Sequence, residues 1–194
     1  MNYGIYKNVR NSAWQCLIDA GVCELPVSVV KLADHYDVAV VKNRGRNWLK
    51  PGQSGISIRT EDGTWIICYD ERESIERIRF TICHELGHIL LGHPLKPGLL
   101  QHTRTIDKER PEIESEADMF AARILAPACV LWGLECYEPE DIMRVCDISK
   151  EAAQYRSERM KVLRDRGKFL ASPLERQVFE AFKPWIEQQK SRPG

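Results

Sequence analysis

Residues 81–93 read TICHELGHILLGH, and this run constrains the chain more than any other. An apolar helix has little use for His84, Glu85 and His88 at its centre, because polar groups in a water-poor setting cost several kilocalories per mole unless something pairs or binds them. At about 100° per residue, Ile75, Ile78, Ile82, Leu86 and Ile89 form one stripe, while His84 and His88 share nearly the opposite side. The predicted helix, from about Ser74 to Leu91, is therefore apolar on one face and ligand-bearing on the other. Four-residue spacing brings the two imidazoles close enough to share one ion. HExxH on a helix has a mechanical meaning: the histidines bind zinc, and Glu85 acts as base on a water whose pKa the metal lowers towards about 7.

A catalytic zinc takes three protein ligands and keeps one position open. The spacing HExxHxxGxxH would need Gly at 91 and His at 94, but Gly92 and His93 are each off by one. On helical phase His93 also falls near the apolar stripe, while His35 and His102 could reach the site only through turns that spacing does not specify. A carboxylate in EIESEADMFAARILAP, residues 112–127, is the better third ligand. On a helix from about Pro111 to Leu125, Glu114, Asp118, Ala121 and Leu125 share a face, whereas Glu112 and Glu116 point nearly the other way. Periodicity selects Glu114. Two acids four residues apart repel, and ligation by one with a hydrogen bond from a ligand imidazole to the other removes the conflict.

The rest of the chain supplies the frame. Residues 7–20 and 27–36 read as helices, VAVV at 38–41 as a strand, and GISIRTEDGTWIICYD at 55–70 as a hairpin turning at Asp62-Gly63, which gives three strands. Residues 93–110 read as a charged loop. Beyond Pro127 the pattern is all-helical from 139 to 190, with a short helix, the turn Asp147-Ile148-Ser149 and a longer helix that faintly resembles a helix-turn-helix. Residues 150–168 hold seven Lys or Arg against three Asp or Glu, a balance that a solvated helical face explains more simply than DNA binding. Across the chain 28 basic residues match 28 acidic ones, so no global field recruits nucleic acid or an anionic membrane. The start shows no secretion signal, no 18-residue apolar span occurs, and seven cysteines lack CxxC spacing; the expectation is a cytoplasmic protein with reduced, mostly buried thiols.

Taken together, HELGH, the 25 residues that separate it from Glu114, and Glu114-Ser115-Glu116-Ala117-Asp118 running on to Phe120, Ala121, Leu125 and Pro127 resemble the ImmA/IrrE family of metallopeptidases. GISI, the Asp62-Gly63 hairpin and Ile148-Ser149 fit the same family, and the resemblance spans about residues 25–160. It implies an α+β, zincin-like fold for residues 1–128, with a small three-stranded sheet, followed by a helical extension over 129–194. It further implies His84, His88 and Glu114 as zinc ligands, Glu85 as general base, and Asp118 as the partner behind a ligand imidazole. The implied substrate is a protein, a helix-turn-helix repressor encoded nearby in a mobile element or phage, with no membrane partner and no direct nucleic-acid binding. An oxyanion helper is expected, with Tyr69, His93 and His102 as candidates. The competing reading is a non-proteolytic regulator that keeps a structural zinc and binds a repressor or DNA through residues 139–168.

Overall fold

The computed structural model describes residues 3–93, 101–103 and 111–191. In chain order its elements are α1 (Tyr3–Asp19), α2 (Val29–His35), β1 (Val38–Lys42), β2 (Gly55–Arg59), β3 (Trp65–Tyr69), α3 (Ile75–Leu90), β4 (Gln101–Thr103), α4 (Pro111–Leu125), α5 (Ala128–Gly133), α6 (Pro139–Cys146), α7 (Lys150–Asp165) and α8 (Pro173–Ser191). They form two units, one of Met1–Val9 with Ser28–Ala121 and the other of Arg10–Val27 with Ala122–Gly194. The fold is α+β, zincin-like, and among the described residues the elements after β4 are all helices. No helix among the described residues is long and apolar enough to cross a membrane.

The first unit is built on a sheet of order β1-β3-β2-β4. The β2–β3 hairpin is antiparallel and pairs Gly55 with Tyr69 and Arg59 with Trp65. Its turn closes through Gly63 N–H to Thr60 O at 3.0 Å, with Gly63 at φ +90°, a conformation glycine adopts without a Cβ penalty. β1 lies parallel to β3, Val38 opposite Trp65. The three expected strands are joined by a fourth, β4, inside the segment read as a loop; at three residues it is too short to show a period, and residues 94–100 and 104–110 of that segment lie outside the described residues.

α3 packs on β2 where the side chains are smallest. A Cβ at Gly55 would sit 2.3 Å from Thr81 Cγ2 and 3.5 Å from Glu85 Cγ. On its other side α3 meets α4, where a Cβ at Gly87 would lie 3.1 Å from the Phe120 ring. With both sides covered, residues 81–88 are buried all round, the histidine-bearing face as well as the apolar stripe. The stripe does not extend to the first turn, since Ile75 is 68% exposed. Gly55→Ala should therefore lower stability by about 1–3 kcal/mol, the usual cost of overpacking, because the β-branched Thr81, fully buried, is stiff at χ1. Denaturant unfolding measures it; an unchanged midpoint would show that α3 rides higher on the sheet.

The second unit is helical. Its core draws on Trp14 and Leu17 of α1, Cys129, Val130 and Leu131 of α5, Ile142 of α6, Met160 of α7, and Val178, Phe182 and Ile186 of α8. α5 follows Pro127 directly, in a stretch where the sequence pattern predicts no helix; Pro127 is its N-cap, where no N–H is required of it. A Cβ at Gly133 would meet Phe179 at 2.7 Å and Ile186 at 2.9 Å, so α5 and α8 are closely packed there. The turn between α6 and α7 places Asp147 at φ +52° and caps α7 with Ser149, whose Oγ accepts from Ala152 N–H at 3.2 Å. Two of the basic residues of α7 serve the unit itself: Arg156 donates to the Ala122 carbonyl, and the Arg164 guanidinium lies 5.0 Å from the Tyr137 ring centre. All seven cysteines are free thiols, with Cys23 exposed and Cys136 partly so.

Candidate active site

The site lies wholly in the first unit. Ser74 caps α3 by accepting from Arg77 N–H at 3.3 Å, and the helix then runs unbroken through HELGH. His84 and His88, one turn apart, are 1% and 2% exposed and bring their Nε2 atoms to 3.0 Å. From α4, Glu114 Oε2 comes to 3.3 Å from His84 Nε2, and its Oε1 to 3.6 Å from His88 Nε2. One ligand atom from each of the three residues fits within a 4.8 Å cluster, so together they could hold a metal ion. Glycine at 87 permits this approach: the backbone of α3 comes close to Phe120, six residues along α4 from Glu114. Burial alone would raise the Glu114 carboxyl, but hydrogen bonds from His84 and His88 outweigh it and pull the pKa down to about 2.

The outer ring nitrogens are also engaged. His84 Nδ1 is 2.8 Å from Asp118 Oδ1, one turn along α4 from Glu114. His88 Nδ1 is 2.9 Å from His93 Nδ1, and His93 Nε2 is 3.0 Å from Glu116 Oε2. His93 was expected near the apolar stripe, away from the other two histidines. That expectation assumed helical phase, and residue 93 is past the end of the helix. Gly92, at φ +67°, turns the chain back: His93 N–H donates to His88 O at 3.0 Å and Gly92 N–H to Ile89 O at 3.1 Å, the paired bonds of a Schellman ending. Glu116, set aside by the same phase argument, meets the site through His93. Burial depresses the His93 pKa, with Glu116 opposing the shift and His88 adding to it.

Glu85 faces the sheet. It is fully buried, and its Oε2 accepts from Ser57 Oγ on β2 at 2.9 Å. Oε1 has no hydrogen-bond partner among the described residues. Burial raises its pKa above the ordinary carboxylate range, against the opposing pull of His84, His88 and the Ser57 hydroxyl. Ser57 was not singled out in sequence, although a hydroxyl two residues after Gly55 on a strand shares the face turned towards α3. Of the oxyanion candidates, Tyr69 is half-buried at the end of β3, His93 is taken up by His88 and Glu116, and His102 pairs in register with Ser57 at the sheet edge, its side chain outside the described residues.

Residues 33–158, well over half of the chain, match the family described as the IrrE N-terminal-like domain, Peptidase M78. No curated protein matches. The matched segment contains every residue of the cluster, both helices that carry it and all four strands beneath. An HExxH helix whose two histidines meet a glutamate from the next helix is what such a peptidase requires, and the chain belongs to the IrrE N-terminal-like family as a metalloendopeptidase.

Proposed function

We propose that the chain is a zinc-dependent endopeptidase that cuts one specific protein, a helix-turn-helix repressor encoded near it. His84, His88 and Glu114 hold the metal, Glu85 is the general base, and Asp118 fixes the ring of His84. Residues 1–128 carry the chemistry, and residues 129–194 form the helical extension. The residues fit zinc. Two imidazoles and a carboxylate are a donor set of its catalytic sites, and donors bound at about 2.0–2.2 Å in a tetrahedron lie roughly 3.3–3.6 Å apart. The Nε2–Nε2 separation of 3.0 Å and the 3.3 Å from His84 Nε2 to Glu114 Oε2 are near that edge length, with the second carboxylate oxygen, Oε1, 3.6 Å from His88 Nε2. When bound, zinc supplies Lewis-acid polarisation of a peptide carbonyl and a lowered pKa for water.

The observation that carries the reading is the state of Glu85, buried beside the cluster with one oxygen held and the other unengaged. A buried, unpaired carboxylate oxygen is costly for stability alone. As a base it is poised: Ser57 fixes the carboxylate plane, the raised pKa favours taking up a proton, and Oε1 can accept that proton and return it to the departing amine. A purely structural metal site needs no such group, which weighs against the non-proteolytic alternative.

A single substrate is supported by physics as well as by the family. A peptidase acting on any accessible backbone would attack every locally opened chain around it. Zinc-loaded protein mixed with the neighbouring repressor is expected to give one new N-terminus by mass spectrometry, suppressed by a chelator, while casein stays intact. Digestion of casein as fast as the repressor would overturn the narrow specificity, and an intact repressor would overturn the choice of substrate.

A further inference from the structure

We propose that His93 and Glu116 form a positioning relay that fixes the tautomer and ring orientation of His88. The inference rests on the reading of His88 as a metal ligand, and the geometry dictates its direction. Glu116, as a carboxylate, only accepts, so at 3.0 Å the proton between them belongs to His93 Nε2. A neutral imidazole carries one N–H. With it spent on Glu116, His93 Nδ1 is an acceptor, and the 2.9 Å contact with His88 Nδ1 is made by the N–H of His88. His88 Nε2 is then unprotonated on the side facing His84 Nε2 and Glu114. That is the tautomer a metal needs.

Local sequence puts the relay in place. In a Schellman ending the second residue beyond the helix cap folds back over the last turn, commonly as an apolar contact. Here that residue is His93 and the residue whose carbonyl it binds is His88, so the six-residue stretch His88 to His93, closed by Gly92, brings the two imidazoles together edge-on, with ring centres 5.0 Å apart and planes at 70°. His93 is not a fourth ligand to the same ion, because it meets His88 on the Nδ1 side, away from the Nε2 cluster. The side chains of His93 and Glu116 are only 6% and 20% exposed, so water competes weakly for their contact. α4 thereby backs both ligand histidines with carboxylates: His84 directly through Asp118, and His88 through an interposed imidazole.

Long-range proton–nitrogen spectra of the metal-free, isotopically labelled full chain, recorded above the ordinary imidazole pKa range, read the tautomer without zinc. The expected result is Nδ1–H for His88 and Nε2–H for His93. His93→Phe should release the His88 tautomer and weaken zinc binding about 10–100-fold in a chelator competition, the usual loss when a ligand's supporting partner is removed. Glu116→Gln keeps an acceptor oxygen and should stay near the parent on both readouts, whereas Glu116→Leu should move both. This pair on α4 decides the matter if His93→Phe does not fold. An Nε2–H tautomer for His88 in the parent overturns the relay, as does affinity that both His93→Phe and Glu116→Leu leave within about twofold. Should the parent take up no zinc at all, the ligand reading fails on its own, and the tautomer measurement still decides the relay.

Discussion

Replacing His84, His88 or Glu114 by Ala is expected to take the purified protein from about one zinc per chain to background, and peptide hydrolysis with it. The three substitutions remove donors whose atoms lie 3.0–3.6 Å apart, and two remaining donors leave too few bonds to offset the ion's hydration. Metal analysis after zinc supplementation and desalting checks it. Glu114→Ala is the most discriminating of the three, because it leaves HExxH intact. If that variant retained a full equivalent of metal, the carboxylate on α4 would be a neighbour of the site and not a ligand. His84→Ala and His88→Ala each have a second consequence in the metal-free chain. In its protonated form each ring donates from Nε2 as well as Nδ1, and that Nε2 hydrogen bond holds the Glu114 pKa near 2; without the ring the carboxyl should titrate closer to its ordinary range. A carboxyl depressed on folding adds stability above its unfolded pKa and loses it as the pH falls through the folded value. These variants should therefore show less of the stability loss that Glu114 causes between its ordinary pKa and about 2.

The parts of the site that were legible in sequence are those set by local periodicity. His84 and His88 are one turn apart on a single helix, and Glu114 and Asp118 one turn apart on another, so their common faces follow from 3.6 residues per turn. That the two faces would meet is a tertiary fact, and the residue permitting it, Gly87, looks like a defect in a helix interior until Phe120 is seen against it. His93 was misplaced because the same period was carried one turn too far; the punctuation was visible, a glycine followed by a residue that must fold back, and it outranks phase at a helix end. Ser57 was hidden in an apolar strand, and the group it holds, Glu85, is 28 residues away. β4 and α5 are too short to show a period. The gathering of residues 10–27 with 122–194 in one unit is a matter of long-range packing that no local pattern encodes.

Glu85→Gln should keep its zinc and lose hydrolysis by about 10²–10⁴-fold, the range for removing a positioned general base. The amide preserves shape, and its oxygen can still accept from Ser57, but it cannot take a proton from water or return one to the leaving amine. The variant also has a stability signature in the metal-free chain. Folding raises the Glu85 pKa, so between its unfolded and folded values the native protein binds more protons than the unfolded chain, and stability falls as the pH rises through that window. Above it the ionised carboxylate is a standing cost, which the neutral amide removes. Glu85→Gln should accordingly unfold at a higher denaturant concentration than the parent at neutral pH, with the difference shrinking as the pH is lowered and the parent's carboxyl protonates. Stability gained where activity is lost is the pattern of a group kept for chemistry. Retained turnover would exclude Glu85 as the base, and an inactive variant that was also less stable would point to a structural role for the carboxylate in joining α3 to β2.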